Sequence, residues 1–179
     1  VTSISEDHLD WLPKNERNVE RIIFEKTSSL LESNIIVAKQ SSKEITECIK
    51  KNISNNKANK YFFNEDYSFV IKENDFFYYE DKYGGIKIPK PSMKGQFQLE
   101  NASTAIASLR VLENLNIKDQ HIINGVKKAY NSARIEEIKS GKLKNLVRDN
   151  RLIVDSSHNP GGSKSLNEYL QTLNCNKHV

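Results

Sequence analysis

The sequence predicts an α/β fold, a mostly parallel sheet that carries an antiparallel meander. Three observations lead there. Through residues 1–53, strand-like apolar runs alternate with helical spacing, strand–helix–strand–helix. That is the pattern of a parallel sheet with helices on its faces. Residues 61–89 then change to short aromatic and β-branched runs separated by turn pairs, as antiparallel strands do. Further on, Leu152-Ile153-Val154 runs into Asp155-Ser156-Ser157-His158-Asn159-Pro160-Gly161-Gly162. This reads as a strand, a turn and a helix start, with Pro160 and the two glycines fitting a turn that runs into a helix N-terminus.

Taken in order, residues 1–4 read as a buried strand ending at the polar turn Ser5-Glu6-Asp7-His8. Asp7, His8 and Asp10 fall within four residues of each other. Carboxylate and imidazole together suit a hard divalent ion or a phosphate-side cluster, although Asp-His pairs also occur at ordinary surface turns. A helix is predicted over 15–33, with Val19, Ile22, Ile23, Leu30 and Leu31 at three- and four-residue spacing. Lys26 falls within that stripe. Either its ammonium snorkels past the core edge, or it is a desolvated amine with a lowered pKa. A neutral amine of the second kind adds carbon dioxide and becomes an anionic carbamate. The stripe alone favours snorkelling.

Residues 34–38 read as a second strand and 43–53 as a second helix. In the meander, Asn74-Asp75 and Gly84-Gly85 are the predicted turns. A helix follows to about residue 115, with Ala105, Ile106, Leu109, Leu112 and Leu115 as its apolar face. Gln98 and Asn101 stand three apart at its start, where their amides can read a base edge; Asn101 can instead cap the helix. Asp119 is expected to cap the next helix, which buries Ile122, Ile123, Val126, Ala129 and Tyr130. Arg134 lies in the following linker, placed to clamp a phosphate or simply solvated. Residues 143–147 and 152–154 read as a hairpin or adjacent strands. The last helix, over 163–173, carries Leu166, Tyr169, Leu170 and Leu173 on one face. In an open α/β sheet, ligands bind at the carboxyl ends of strands, which places Asp155 and His158 at a crevice.

Composition narrows the function classes. The 179 residues carry a net charge of +4, spread along the chain. The Lys/Asn-rich block 50–60 has no interleaved aromatics, so a solvated loop is expected rather than a nucleic-acid surface. Cys48 and Cys175 stand alone. They imply neither a disulfide framework nor a zinc site and suit a reducing, cytoplasmic setting. No apolar run reaches membrane-spanning length. Gly161-Gly162-Ser163-Lys164-Ser165 and Ser140-Gly141-Lys142-Leu143 are not phosphate-binding P-loops. The chain starts without Met and stops after one strand–helix pair. An internal piece of a longer protein is therefore expected.

Four landmarks stand in fixed order: Ser3-Ile4-x-x-Asp7-His8-x-Asp10-Trp11-Leu12, Glu25-Lys26-Thr27-Ser28, Gly95-x-x-Gln98-x-x-Asn101-Ala102 and Asp155-x-x-His158-Asn159-Pro160. This order resembles the Mur ligase superfamily and, within it, the folylpolyglutamate synthases that often act as dihydrofolate synthases as well. The resemblance spans nearly the whole chain. It implies the later part of an ATPase domain over 1–132 and the beginning of a C-terminal Rossmann-like ligase domain over 133–179, with the P-loop upstream. It implies ATP and Mg2+ as cofactors. His8 and Lys26 would be metal-site residues, Lys26 as a carbamate. Gln98 and Asn101 would lie beside adenine, and Arg134 would reach ATP from the linker. Asp155 and His158 would approach the ribose and phosphates and order the incoming amino acid; with Lys26 they are the candidate catalytic residues.

The implied reaction is ATP-dependent amide formation. A folate or dihydropteroate carboxylate is activated as an acyl phosphate and attacked by the amine of L-glutamate. A monomer binding small molecules, with no nucleic acid or membrane partner, is expected, and this segment alone is expected to be inactive. Two other readings stay open: a peptidoglycan Mur ligase or related amide ligase, and a non-catalytic basic binding module. Two positions depart from the family pattern. Ala133-Arg134 stands where Gly-Arg is usual, and Thr27-Ser28 where Ala-Gly often follows Glu-Lys.

Overall fold

The computed structural model describes residues 1–7, 9–31, 33–73, 75–112 and 114–173. The fold is α/β, built on a parallel pair, β1 (Ile35–Val37) and β2 (Lys60–Phe62). Helices α1 (Val19–Ser28) and α2 (Lys43–Asn52) pack against it. All three residues of β1 are buried, so both faces of this strand are covered. Successive side chains alternate between faces. Ile35 and Val37 join Ile4, Ile22, Ile23, Ile49, Ile53 and Phe62 in one cluster. Ile36 joins the second cluster, with Tyr67, Phe77, Tyr79, Ile88, Leu99 and Ile106.

Residues 1–4 lie along β1 but form no strand. The Val1 N–H donates to the Ile36 carbonyl (2.7 Å), and Ala38 N–H donates to Val1 (2.9 Å). That is one step of a parallel ladder. The Gln40 side chain then replaces the next step, accepting from Ile4 N–H at 2.9 Å and donating to the Thr2 carbonyl at 3.3 Å. Ile4 is nonetheless 1% exposed.

The first helix is shorter than predicted. Short 3-10 turns at Leu9–Trp11 and Lys14–Glu16 precede it, and Asn18 caps it, its side chain accepting from Arg21 N–H at 2.8 Å. Its buried face is Ile22, Ile23 and Thr27; Leu31 is exposed. Thr27 can be buried because its hydroxyl donates to the Ile23 carbonyl at 2.7 Å.

The meander is β3 (Tyr67–Glu73), β4 (Phe76–Asp81) and β5 (Gly84–Pro89), antiparallel in that order. Phe62 belongs instead to β2. The predicted Gly84-Gly85 turn falls two residues earlier, at Lys82-Tyr83, because Asp81 accepts from the Tyr83 N–H (2.8 Å) and Gly84 opens β5 at φ +111°. The turn predicted at Asn74-Asp75 includes Asn74, which lies outside the described residues. The Tyr67 hydroxyl donates to the Val37 carbonyl at 3.0 Å and ties the meander to β1.

Helix α3 (Phe97–Arg110) ends earlier than expected, and its buried face is Gln98, Leu99, Ser103, Ile106 and Ala107. Leu109, Leu112 and Leu115 are partly open to solvent. Asn101 is inside the helix and does not cap it. Helix α4 (Asp119–Lys128) begins at Asp119, with Lys118 as the cap residue. Ile122 is buried there, whereas Tyr130 is 67% exposed. Strand β6 (Glu136–Ile138) pairs antiparallel with β7 (Leu152–Val154). The segment predicted as a strand at 143–147 is mostly a short helix, α5 (Lys142–Leu146). Lys and Leu there have high helix propensity, and Glu136–Ile138 already fills the partner position of β7. Helix α6 (Pro160–Thr172) follows, with Leu166, Tyr169 and Leu170 half-buried on one face.

Arg110 ties these parts together. Its guanidinium donates to Asp81 (3.0 Å), to the Gly84 carbonyl (3.1 Å) and to Asp119 (3.0 Å). The Arg110 and Asp81 side chains are 11% and 7% exposed, and Asp119 is 61% exposed. Removing one partner of a buried pair costs about 3 kcal/mol, and an exposed pair contributes below about 1 kcal/mol. Arg110→Ala is therefore expected to lower unfolding stability by about 3 kcal/mol and Asp119→Ala by less than about 1 kcal/mol. Urea unfolding of the two variants measures this contrast.

Burial also pushes the Tyr67 phenol from 10.0 up to about 12. A raised folded-state value favours the neutral phenol. That stabilisation is complete below pH 10 and is lost as pH rises through about 12. Stability should fall across this window, and Tyr67→Phe should make the fall shallower in thermal melts taken at increasing pH.

Candidate functional site

The turn after β7 and the turn near the start of the chain meet, although 152 residues separate them. Asn159 stands at the N-cap of α6 and donates from Nδ2 to Asp7 Oδ2 at 3.1 Å. His158 Nε2 lies 3.7 Å from the same oxygen, and its Nδ1 lies 2.8 Å from the Ser156 carbonyl. Gly161 brings the first turn of α6 close to Ser5, since a Cβ there would stand 2.9 Å from Ser5 Oγ.

Asp7 also lines a cleft of about 410 Å³ with Trp11, Leu12, Pro13, Arg21, Glu25 and Lys26. Lys26 therefore shares a cleft with the Asp7 turn. It is exposed there, so the desolvated amine weighed from the sequence is not found. By angle, Lys26 belongs to the face of Ile22 and Ile23. Ile22 lines the same cleft, buried at its wall, while Lys26 stands open to solvent. Arg21 pairs with Glu25 at the cleft wall. His8 lies outside the described residues. Among the described residues, no group of three or more His, Cys, Asp or Glu converges as a metal site.

The two amides predicted beside a base lie elsewhere. Gln98 and Asn101 line a cleft of about 300 Å³ between α3 and α4, whose other walls are largely apolar: Ala102, Ile106, Leu109, Ile122 and Val126 among them. Gln98 is 4% exposed, and Asn101 Nδ2 donates to its Oε1 at 3.2 Å. A mostly apolar cleft with a few polar edges suits a heteroaromatic ring.

Arg134 is exposed in the linker, between two residues with left-handed backbone, Ala133 at φ 54° and Ile135 at φ 51°. Ala133 stands where a glycine would be unstrained. For branched Ile135 the conformation costs about 1–3 kcal/mol. Surrounding bonds hold it. Asp155 Oδ2 accepts from Ile135 N–H at 2.8 Å, and Ser156 N–H donates to the Ala133 carbonyl at 2.8 Å. Glu136 accepts from Ala133 N–H (2.9 Å) and from the Tyr130 hydroxyl (2.7 Å). The Ala133 N–H and then the Tyr130 hydroxyl hold the Glu136 carboxyl below the usual range. Ile135 is 2% exposed, and its Cδ1 packs beside Gly95 at the entry to α3. Gly95 itself sits at φ +97°, and a Cβ there would overlap the Phe97 ring.

Asp155 is thus occupied. Besides Ile135 N–H, its other oxygen accepts from Ser157 N–H at 2.8 Å and from the Ser157 hydroxyl. The sequence placed Asp155 at a strand tip facing a crevice. The structure adds that its carboxylate holds the linker and its own turn. Sequence reasoning assigned no role to Asn159 or Glu136. The Asn-Pro-Gly-Gly order was a readable cap signal for Asn159, whereas Glu136 had no local signal.

No protein-family model matches the chain, and no curated protein matches it. Solved structures do. E. coli FolC in complex with DHPP and ADP is 26% identical with a TM-score of 0.77, over 99% of this chain and 38% of that one. The FPGS-AMPPCP-folate complex is 19% identical with a TM-score of 0.77, over 97% and 42%. Folylpolyglutamate synthetase from Lactobacillus casei is 18% identical with a TM-score of 0.69, over 97% and 42%. This chain has the folylpolyglutamate synthase and dihydrofolate synthase fold. It spans about two-fifths of the length of these proteins. Among the described residues, no helix is long and apolar enough to cross a membrane.

Asp155→Ala leaves two backbone donors without their acceptor, at a cost of about 1–3 kcal/mol. We expect a loss of stability in that range and faster hydrogen exchange at the Ile135 and Ser157 amides. Exchange followed residue by residue tests this; unchanged protection at Ile135 would remove Asp155 from the linker.

Proposed function

We propose that this chain is part of an ATP-dependent carboxylate–amine ligase that adds L-glutamate to folate or dihydropteroate. The observation that carries the reading is the meeting of Asp7 with His158 and Asn159, beside a cleft that Lys26 also lines. Two motifs distant in sequence are thereby brought to one place. The likeness to E. coli FolC, whose structure holds DHPP and ADP, supports the folate branch over a peptidoglycan ligase.

In this reading residues 1–132 are the later part of the ATPase domain and 133–179 begin the C-terminal ligase domain. Gln98 and Asn101 border the adenine slot, whose apolar walls suit a base. Arg134 reaches the nucleotide from a linker held in one strained conformation. His158, on its exposed turn, faces the phosphates and the incoming glutamate, and Asp155 holds that turn and the linker in place. The carboxylate is activated as an acyl phosphate, the glutamate amine attacks, and phosphate leaves. Magnesium would be held by His8 and by Lys26 in its carbamate form, and would there supply positive charge opposite phosphate and carboxylate oxygens. The Asp7 carboxylate, an oxygen donor of the kind a hard ion takes, stands at the same cleft as Lys26. A carbamate at exposed Lys26 would be held by the cation it binds, because burial is not available to favour it. The chain has no P-loop, so by itself it should not turn over ATP.

In the whole protein, Lys26→Ala should lower glutamate ligation by at least about a hundredfold, on the scale of a lost catalytic group. Acetate should restore part of that rate by supplying a carboxylate at the vacated position. Lys26→Arg should not rescue, since arginine stays charged and forms no such carbamate. ATP-dependent ligation of radiolabelled glutamate measures all three. A fully active Lys26→Arg would overturn the carbamate role, and no ligation by the unaltered protein would overturn the function.

A further inference from the structure

We propose that Asn159 is the positioning residue for the Asp7 carboxylate, and that it performs this task through its role as helix cap. Its Oδ1 accepts from Gly162 N–H at 2.8 Å. Only the oxygen of a side-chain amide can accept that bond, so the cap fixes which way the planar group faces. The Nδ2 group is thereby presented to Asp7 Oδ2 at 3.1 Å. One amide starts α6 and fastens its turn to the front of the chain.

The surroundings leave this arrangement little freedom. Asn159 is half-buried, and the Asp7 side chain is 21% exposed. Gly161 lies so near Ser5 that a Cβ there would stand 2.9 Å from Ser5 Oγ and 3.1 Å from its Cβ. His158, the neighbour of Asn159, faces the same Asp7 oxygen. A shift of the Asn159 amide would therefore move the Asp7 carboxylate at the cleft edge and the His158 ring together. The functional weight of this bond rests on the ligase reading; the bond itself does not.

Two substitutions separate capping from positioning. Ser and Asp both cap about as well as Asn. Asn159→Ser is too short to reach Asp7, and Asn159→Asp sets a carboxylate against it. Asp7→Asn combined with Asn159→Asp exchanges donor and acceptor. In urea unfolding of the chain, N159D should lower the folding equilibrium constant about tenfold, as for a lost hydrogen bond to a charged group. Adding D7N to N159D should recover most of that loss, although D7N alone is destabilising. Additive effects of the two substitutions would overturn the proposal. In the whole protein, N159S should lower kcat about tenfold with little change in the KM for glutamate, whereas a pure cap predicts unaltered kinetics. Coupling between the two positions in a protein that does not ligate glutamate would overturn the function and leave the positioning role standing. Ligation with no coupling would do the reverse.

Discussion

The structure depends on β1 being buried from both sides. Three consecutive apolar residues, Ile35, Ile36 and Val37, are 3%, 9% and 1% exposed. Because their side chains alternate, two separate clusters are built on one short strand. Each fully buried aliphatic side chain contributes about 1.5–3 kcal/mol, so this strand adds to both clusters at once. It also fixes the geometry of the Asp7 turn. The segment before that turn is attached to β1 by backbone bonds at Val1 and by the Gln40 side chain at Ile4. The meander is attached to the same strand from the other side, through the Tyr67 hydroxyl and the Val37 carbonyl.

The linker shows a different principle, strain held by carboxylates. Ala133 and Ile135 flank Arg134 in a backbone conformation that neither residue prefers. Glu136 accepts from the first and Asp155 from the second. A short rigid linker sets the direction of its arginine more narrowly than a flexible one. Ala133 is held in this conformation by the Glu136 carboxylate on its N–H and the Ser156 N–H on its carbonyl.

What could be read from the sequence follows from how local each signal is. Caps and apolar spacing are local, so α2, the meander and α6 are found nearly where expected. Pro160 opens α6 because its fixed φ suits a first turn. Long-range competition was not legible. Residues 143–147 looked like the partner of 152–154, but Glu136–Ile138 takes that position. The α3 face was misjudged because Ser103 and Gln98 are buried with hydrogen-bonded side chains, while Leu109, Leu112 and Leu115 stay partly open. The site shows the same division. The motifs located its residues, but no spacing rule reveals that Asp155 is occupied by backbone donors or that Asn159 reaches Asp7.

The polar groups at the candidate site differ in what holds them, and this orders their roles. Asp155 accepts from the Ile135 and Ser157 N–H groups and from the Ser157 hydroxyl. Asn159 has its oxygen on Gly162 and its nitrogen on Asp7. Asp155 thereby fastens the linker and its own turn, and Asn159 starts a helix while reaching the front of the chain. His158 and Lys26 are exposed side chains on that framework, one on the α6 turn and one on α1. Groups of this second kind can meet a substrate without first unmaking the fold. The exposed pair is thus carried by the framework that Asp155 and Asn159 hold. The Asp155 carboxylate and the Asn159 amide hold the turn that carries His158, and Asn159 fastens it to Asp7, which borders the cleft that Lys26 lines.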